Sequence, residues 1–86
     1  MPLQKLKNDR QTPTWSGRKF ILKHPYMTGD DIAAWQDMAG GLVVDGWYES
    51  EDAERAKQIQ ALNGLVVDGI VGPKTWDATF NKKKEK

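Results

Sequence analysis

Apolar residues recur at helical spacing in three stretches of the chain. Ile32, Trp35 and Ala39 would form one buried face of a helix near residues 29–39. Ala56, Ile59 and Leu62, three apart, predict a second helix near 51–62, and Trp76 and Phe80, four apart, a third near 73–80. The punctuation between them agrees. Thr28 and Asp31 have the spacing of a capping signal, with Asp30 and Asp31 near the positive helix start. Gly40 and Gly41 stop the first helix, and one of them can take the left-handed conformation. Ser50 is a good N-cap ahead of Glu51, Asp52 and Glu54. Asn63 and Gly64 close the second helix, and Gly72-Pro73 opens the third, because proline lacks an N–H that the first turn does not use. Upstream, Phe20, Ile21 and Leu22 favour an extended segment that Pro25 keeps from turning helical. The expected core is Ile32, Trp35, Val44, Tyr48, Ala56, Ile59, Leu62, Leu65, Val67, Val71 and Trp76, with Leu22.

The same pattern contains a duplication. GLVVDG stands at Gly41–Gly46 and again at Gly64–Gly69. Each copy follows a helix carrying a bulky residue and a glutamine, Trp35-Gln36 and Ile59-Gln60, and each precedes another helix. Two similar helix–loop units related by a pseudo-twofold axis are expected. The fold class is therefore all-α, a compact three-helix bundle. Residues 1–17 read as a flexible basic arm, 18–80 as the domain and 81–86 as a lysine-rich tail. Trp15 reads as a loose anchor or as part of the arm.

The second loop continues as Asp68-Gly-Ile-Val-Gly-Pro-Lys-Thr-Trp. An Asp-Gly turn lets the carboxylate accept from backbone N–H groups ahead of it while glycine takes positive φ. Asp45, Gly46, Asp68, Gly69 and Gly72 thus read as structural loop residues that lock a helix start. The order Thr-Gly-Asp-Asp-Ile-x-x-Trp-Gln, then Val-Asp-Gly, then Ile-Gln-x-Leu-x-Gly-Leu-x-Val-Asp-Gly-Ile-Val-Gly-Pro-x-Thr-Trp, resembles the peptidoglycan-binding domain family. The resemblance covers roughly residues 18–80 and looks most like modules of phage lysins that attack actinobacterial walls. It implies a three-helix module that binds cell-wall peptidoglycan, by glycan or stem peptide, without catalysing a reaction. The first loop departs from the family pattern: Glu49 replaces a usual glycine, Asp52 a usual threonine, and Arg55 a small apolar residue.

Composition narrows the chemistry. With 86 residues there is room for one domain. With no cysteine and a single histidine, His24, a zinc site of the usual kind is excluded, and no calcium-loop pattern occurs. No credible nucleophile–base pair or carboxylate pair stands out, so neither catalysis nor a cofactor is expected. Charge is uneven: +5 over residues 1–28, −7 over 29–81 and +3 over 82–86. The acidic middle disfavours nucleic acid. No apolar run is long enough to span a membrane. The N-terminus does not read as a secretory signal, so action at the wall would follow virion association or release at lysis. The ligand-binding candidates are Trp47, Tyr48, Ile70, Lys74 and Thr75. Trp47 and Ile70 would flank one groove, with Trp47 meeting sugar or apolar peptide, and Lys74 and Thr75 meeting an anionic part. Tyr48 also fits a core position. The competing expectation is a structural or adaptor protein of a phage virion or other assembly, docking on a phage structural or lytic partner.

Overall fold

The computed structural model describes residues 15–80. The expected arm and tail therefore lie largely outside the described residues. Strand β1 (Met27–Thr28) is followed by helix α1 (Asp30–Ala39), strand β2 (Trp47–Tyr48), helix α2 (Ser50–Leu62) and helix α3 (Pro73–Phe80). The three helices pack on one another, and β1 pairs antiparallel with β2, Met27 opposite Tyr48 and Thr28 opposite Trp47. The fold is all-α apart from this two-residue ribbon.

The helix starts differ from the sequence expectation. Thr28 does not cap α1, because the ribbon holds it opposite Trp47; the N-cap is Gly29, at φ 154°. Asp31 is taken by Arg18, which donates from Nε and Nη2 to its two carboxylate oxygens at 2.8 and 2.7 Å and also reaches the Thr28 carbonyl at 2.6 Å. In α2 the N-cap is Glu49 and not Ser50, and the Asp52 carboxylate accepts the Glu49 N–H at 2.7 Å. Arg55 donates to the Ala39 carbonyl at 3.1 and 2.7 Å, so it closes the end of α1.

The Arg18 hydrogen bonds, more than the accompanying charge, hold the Asp31 carboxyl down at about 2. A depressed folded-state value means a contribution present above the unfolded value and lost as pH falls through the folded one. The wild-type melting temperature should drop between the ordinary value of 3.8 and about 2. Arg18→Ala should make that drop shallower and lower the neutral-pH value only slightly, since the arginine is half exposed. Equal slopes in the two proteins would contradict the assignment.

The core is built around Phe20, which pairs with Val71 through two backbone bonds of 3.1 Å. Its ring lies 6.4, 5.8 and 6.2 Å from those of Trp35, Tyr48 and Trp76, and it is fully buried. Ile32, Trp35, Tyr48, Ala56, Ile59, Val71 and Trp76 are buried as expected, and Leu65 is half-buried. Four expected core residues are exposed: Leu22, Val44, Leu62 and Val67. Phe20, not Leu22, is the inward residue because the bridge to Val71 fixes which side chain of the extended segment faces the core. Leu62 lies about 120° around α2 from the stripe formed by Asp52, Ala53, Ala56, Ile59 and Gln60. The loop valines point outward because their loops are held from the inside by polar bonds. Trp15 is half-buried against the core cluster, as an anchor would be. Among the described residues no helix is long and apolar enough to cross a membrane.

Candidate functional site

Each duplicated loop is wrapped around a buried glutamine. Gln36 and Gln60 sit on the inner faces of α1 and α2, each about 1% exposed. The Gln60 Oε1 accepts the N–H groups of Asp68 and Gly69, both at 3.0 Å. Its Nε2 donates to Asp68 Oδ1 at 2.9 Å, the Ile70 carbonyl at 3.0 Å and Thr75 Oγ1 at 3.0 Å. The Gln36 Oε1 accepts from Asp45 and Gly46 at 3.0 and 2.9 Å. Its Nε2 reaches Asp45 Oδ1, the Trp47 carbonyl and Asp52 Oδ1 at 3.1, 2.9 and 3.0 Å. In both loops the aspartate also accepts the N–H two residues on, Trp47 or Ile70, at 3.0 Å. These bonds, Trp47's N–H first and then Gln36's amide, hold the Asp45 carboxyl below the usual range. The glutamines are 24 residues apart and the loops 23, so the second hub grips its loop one residue closer to the helix.

The glycines divide into two kinds. Gly46 and Gly69 sit at φ 79° and 75°, and an added Cβ at Gly69 would meet Lys57 Cε at 3.2 Å and the Ala53 carbonyl at 3.4 Å. Gly69→Ala should cost about 1–2 kcal/mol, read from a chemical melt. Gly72 is different from the sequence expectation. It has no left-handed φ, and a Cβ there would touch only the Lys19 side chain, at 3.8 Å. Gly72→Ala should therefore stay within about 0.5 kcal/mol of wild type. The Gly72 carbonyl accepts the Trp76 N–H that opens α3.

Ile70, Lys74 and Thr75 line a groove of about 400 Å³ at the second loop, together with Lys19, Leu65, Val66 and Pro73. Thr75 is 4% exposed and presents its hydroxyl to Gln60, so it supports the groove floor. Tyr48 is fully buried and donates its hydroxyl to the Gly69 carbonyl at 2.7 Å. Burial, followed by the Asp52 and Asp68 charges, raises that hydroxyl's pKa. Tyr48 thus ties the first unit to the second loop and offers no face to a ligand. Trp47 does not line the Ile70 groove. It is half exposed, edge-on to Tyr26 at 6.4 Å, and Tyr26 lies 4.5 Å from His24. The sequence reading missed this aromatic cluster and Lys19; the HPY tripeptide at His24–Tyr26 was its only visible signal.

The first loop has a matching groove, lined by Gly41, Leu42, Val43, Asp45, Glu49, Glu51 and Asp52. Each of these positions has a counterpart 23 residues later in the second groove. The charge is inverted: Glu51 stands where the second groove has Lys74, Glu49 where it has Gly72, and Asp52 where it has Thr75. Desolvation first, then Asp45, Glu51 and Asp52, pushes the Glu49 carboxyl up. Desolvation likewise raises Asp52, although the Glu49 N–H and Gln36 bonds pull it the other way. Among the described residues no group of histidines, cysteines and carboxylates could hold a metal ion.

Two glutamine-braced loops, each opening onto a small groove, are thus the repeated unit of this architecture. Residues 40–78 match the model of the family described as Putative peptidoglycan binding domain. No curated protein and no solved structure gives a match.

Proposed function

We propose that the protein binds bacterial cell-wall peptidoglycan without catalysis, as a targeting module or as a wall-docking protein associated with a phage. The observation that carries this reading is the family match over residues 40–78, which contains both duplicated loops and, apart from Lys19, the lining of both grooves. Rigid loops lose little ordering entropy on binding. The half-exposed Trp47 supplies an aromatic surface suited to a sugar ring. Action at the cell wall follows from such a ligand. A lytic or virion setting accords with the resemblance to phage lysin modules.

Sedimentation with purified walls tests this. The protein should pellet with walls, and Trp47→Ala should pellet several-fold less while melting within a degree or two of wild type. Stability is kept because the Trp47 backbone, not its ring, holds β2: its N–H goes to Asp45, its carbonyl to Gln36, and it pairs with Thr28. A protein that stays in the supernatant favours the second reading, an adaptor that contacts another protein. The exposed side chains of Val43, Leu62 and Val66 are the observation on that side.

A further inference from the structure

We propose that the second-loop groove is a receptor for the free C-terminal carboxylate of a short apolar peptide, with Lys19 and Lys74 as its specificity-determining cations. This rests on the wall-binding reading and assigns the stem peptide, rather than the glycan, to this groove. The two lysines come from different parts of the fold, Lys19 from the extended segment beside Phe20 and Lys74 from the first turn of α3. No carboxylate among the described residues forms an ion pair with either. Asp68 also lines the groove, but its Oδ1 is turned into the loop by Gln60 and Ile70. The start of α3 adds positive potential at the same end.

The remaining wall is apolar, with Leu65, Val66, Ile70 and Pro73. An anionic polymer of phosphates and polyols would have no use for that surface, whereas the methyl groups of a peptide end would. The groove's volume of about 400 Å³ lies in the range of small-ligand sites.

The molecule carries its own comparison. The first groove repeats the loop scaffold with Glu51 at the Lys74 position and Glu49 at the Gly72 position. A carboxylate approaching it meets Asp45, Glu49 and Glu51 and is repelled. The duplication therefore supplies one anion-accepting groove and one that excludes anions, and a single peptide end binds per chain.

The probes are N-acetyl-D-alanyl-D-alanine and its C-terminal amide, titrated into the full chain and followed by amide chemical shifts. The free acid should perturb Ile70, Lys74 and Thr75, leave Val43 and Glu51 unmoved, and bind at least tenfold more tightly than the amide. Lys74→Glu and Lys19→Ala should each weaken the acid by fivefold or more and leave the amide unchanged. Both side chains are on the surface, and an unaltered melting curve will show that the fold is intact. Equal affinity for acid and amide, or shifts confined to the first groove, overturns the proposal. So does displacement of the acid by an equal concentration of glycerol phosphate, which would make the site a phosphate site. These titrations use no walls. A protein that sediments with walls but ignores the acid refutes this inference alone; one that binds the acid but not walls refutes the wall-binding reading.

Discussion

Gln60→Ala should cost about 3–5 kcal/mol, a large loss for a polar substitution. Removing the side chain orphans the N–H groups of Asp68 and Gly69, both bonded to Oε1 at 3.0 Å. A buried unsatisfied donor costs about 1–3 kcal/mol, and Gly69 is buried. The carbonyl of Ile70 and the hydroxyl of Thr75 lose their donor as well. A domain of this size has roughly 5–15 kcal/mol in total, so the variant should be partly unfolded at 37 °C. A urea titration measures this, through a fallen midpoint with an unchanged slope. Gln60→Glu is the informative companion. It keeps an oxygen for the two N–H groups but sets a second oxygen against Asp68, so it should also fall below wild type and recover part of the difference as pH drops. A loss under about 1 kcal/mol for Gln60→Ala would mean that the loops hold themselves.

Phe20→Ala should be comparably severe, at about 3–5 kcal/mol, the range for deleting a buried aromatic ring. The ring is fully buried among Trp35, Tyr48 and Trp76, so its removal leaves a cavity lined by three large aromatics that cannot easily collapse. Thermal melting gives the number, and loss of the near-ultraviolet signal from the tryptophans reports the loosened packing. Phe20 lies outside the matched segment, and so do Ile32 and Trp35 of α1. A fragment of residues 40–78 alone should therefore remain unfolded. A cooperative melt from that fragment would show that the first helix and its leading segment are dispensable.

The three helices were legible because each carries apolar residues at helical spacing between recognisable stop signals. The helix starts were less so. Thr28 satisfies a capping pattern, yet the strand pairing and Arg18 claim Thr28 and Asp31 first, and such competition is invisible along the chain. Phe20 could not be ranked above Leu22 because a three-residue apolar run has no period; only the long-range bridge to Val71 decides which residue turns inward. The valines of GLVVDG read as core for the opposite reason. Apolar type alone suggested burial, while the loops are in fact organised by two glutamines, residues that a hydrophobic pattern passes over. The pairing of Gln36 and Gln60 with the duplicated loops was visible in the sequence, but their function was not, since the glutamines are offset by 24 residues and the loops by 23. Of the candidate site residues, Ile70, Lys74 and Thr75 line one groove, and Trp47, expected to flank it with Ile70, does not. Tyr48 and Thr75 are inside, and Lys19 is added from a segment with no motif.

The glutamine hubs hold their loops by main-chain groups and one aspartate each. None of the hub bonds involves the side chains of Val43, Val44, Val66 or Val67, all of which face solvent. Those four positions are therefore uncoupled from folding, and the two loops behave as interchangeable display sites on a fixed chassis. Guest residues placed there would be presented in a single conformation, so the binding preference of such a domain can be rewritten, by evolution or in a library, without renegotiating its stability.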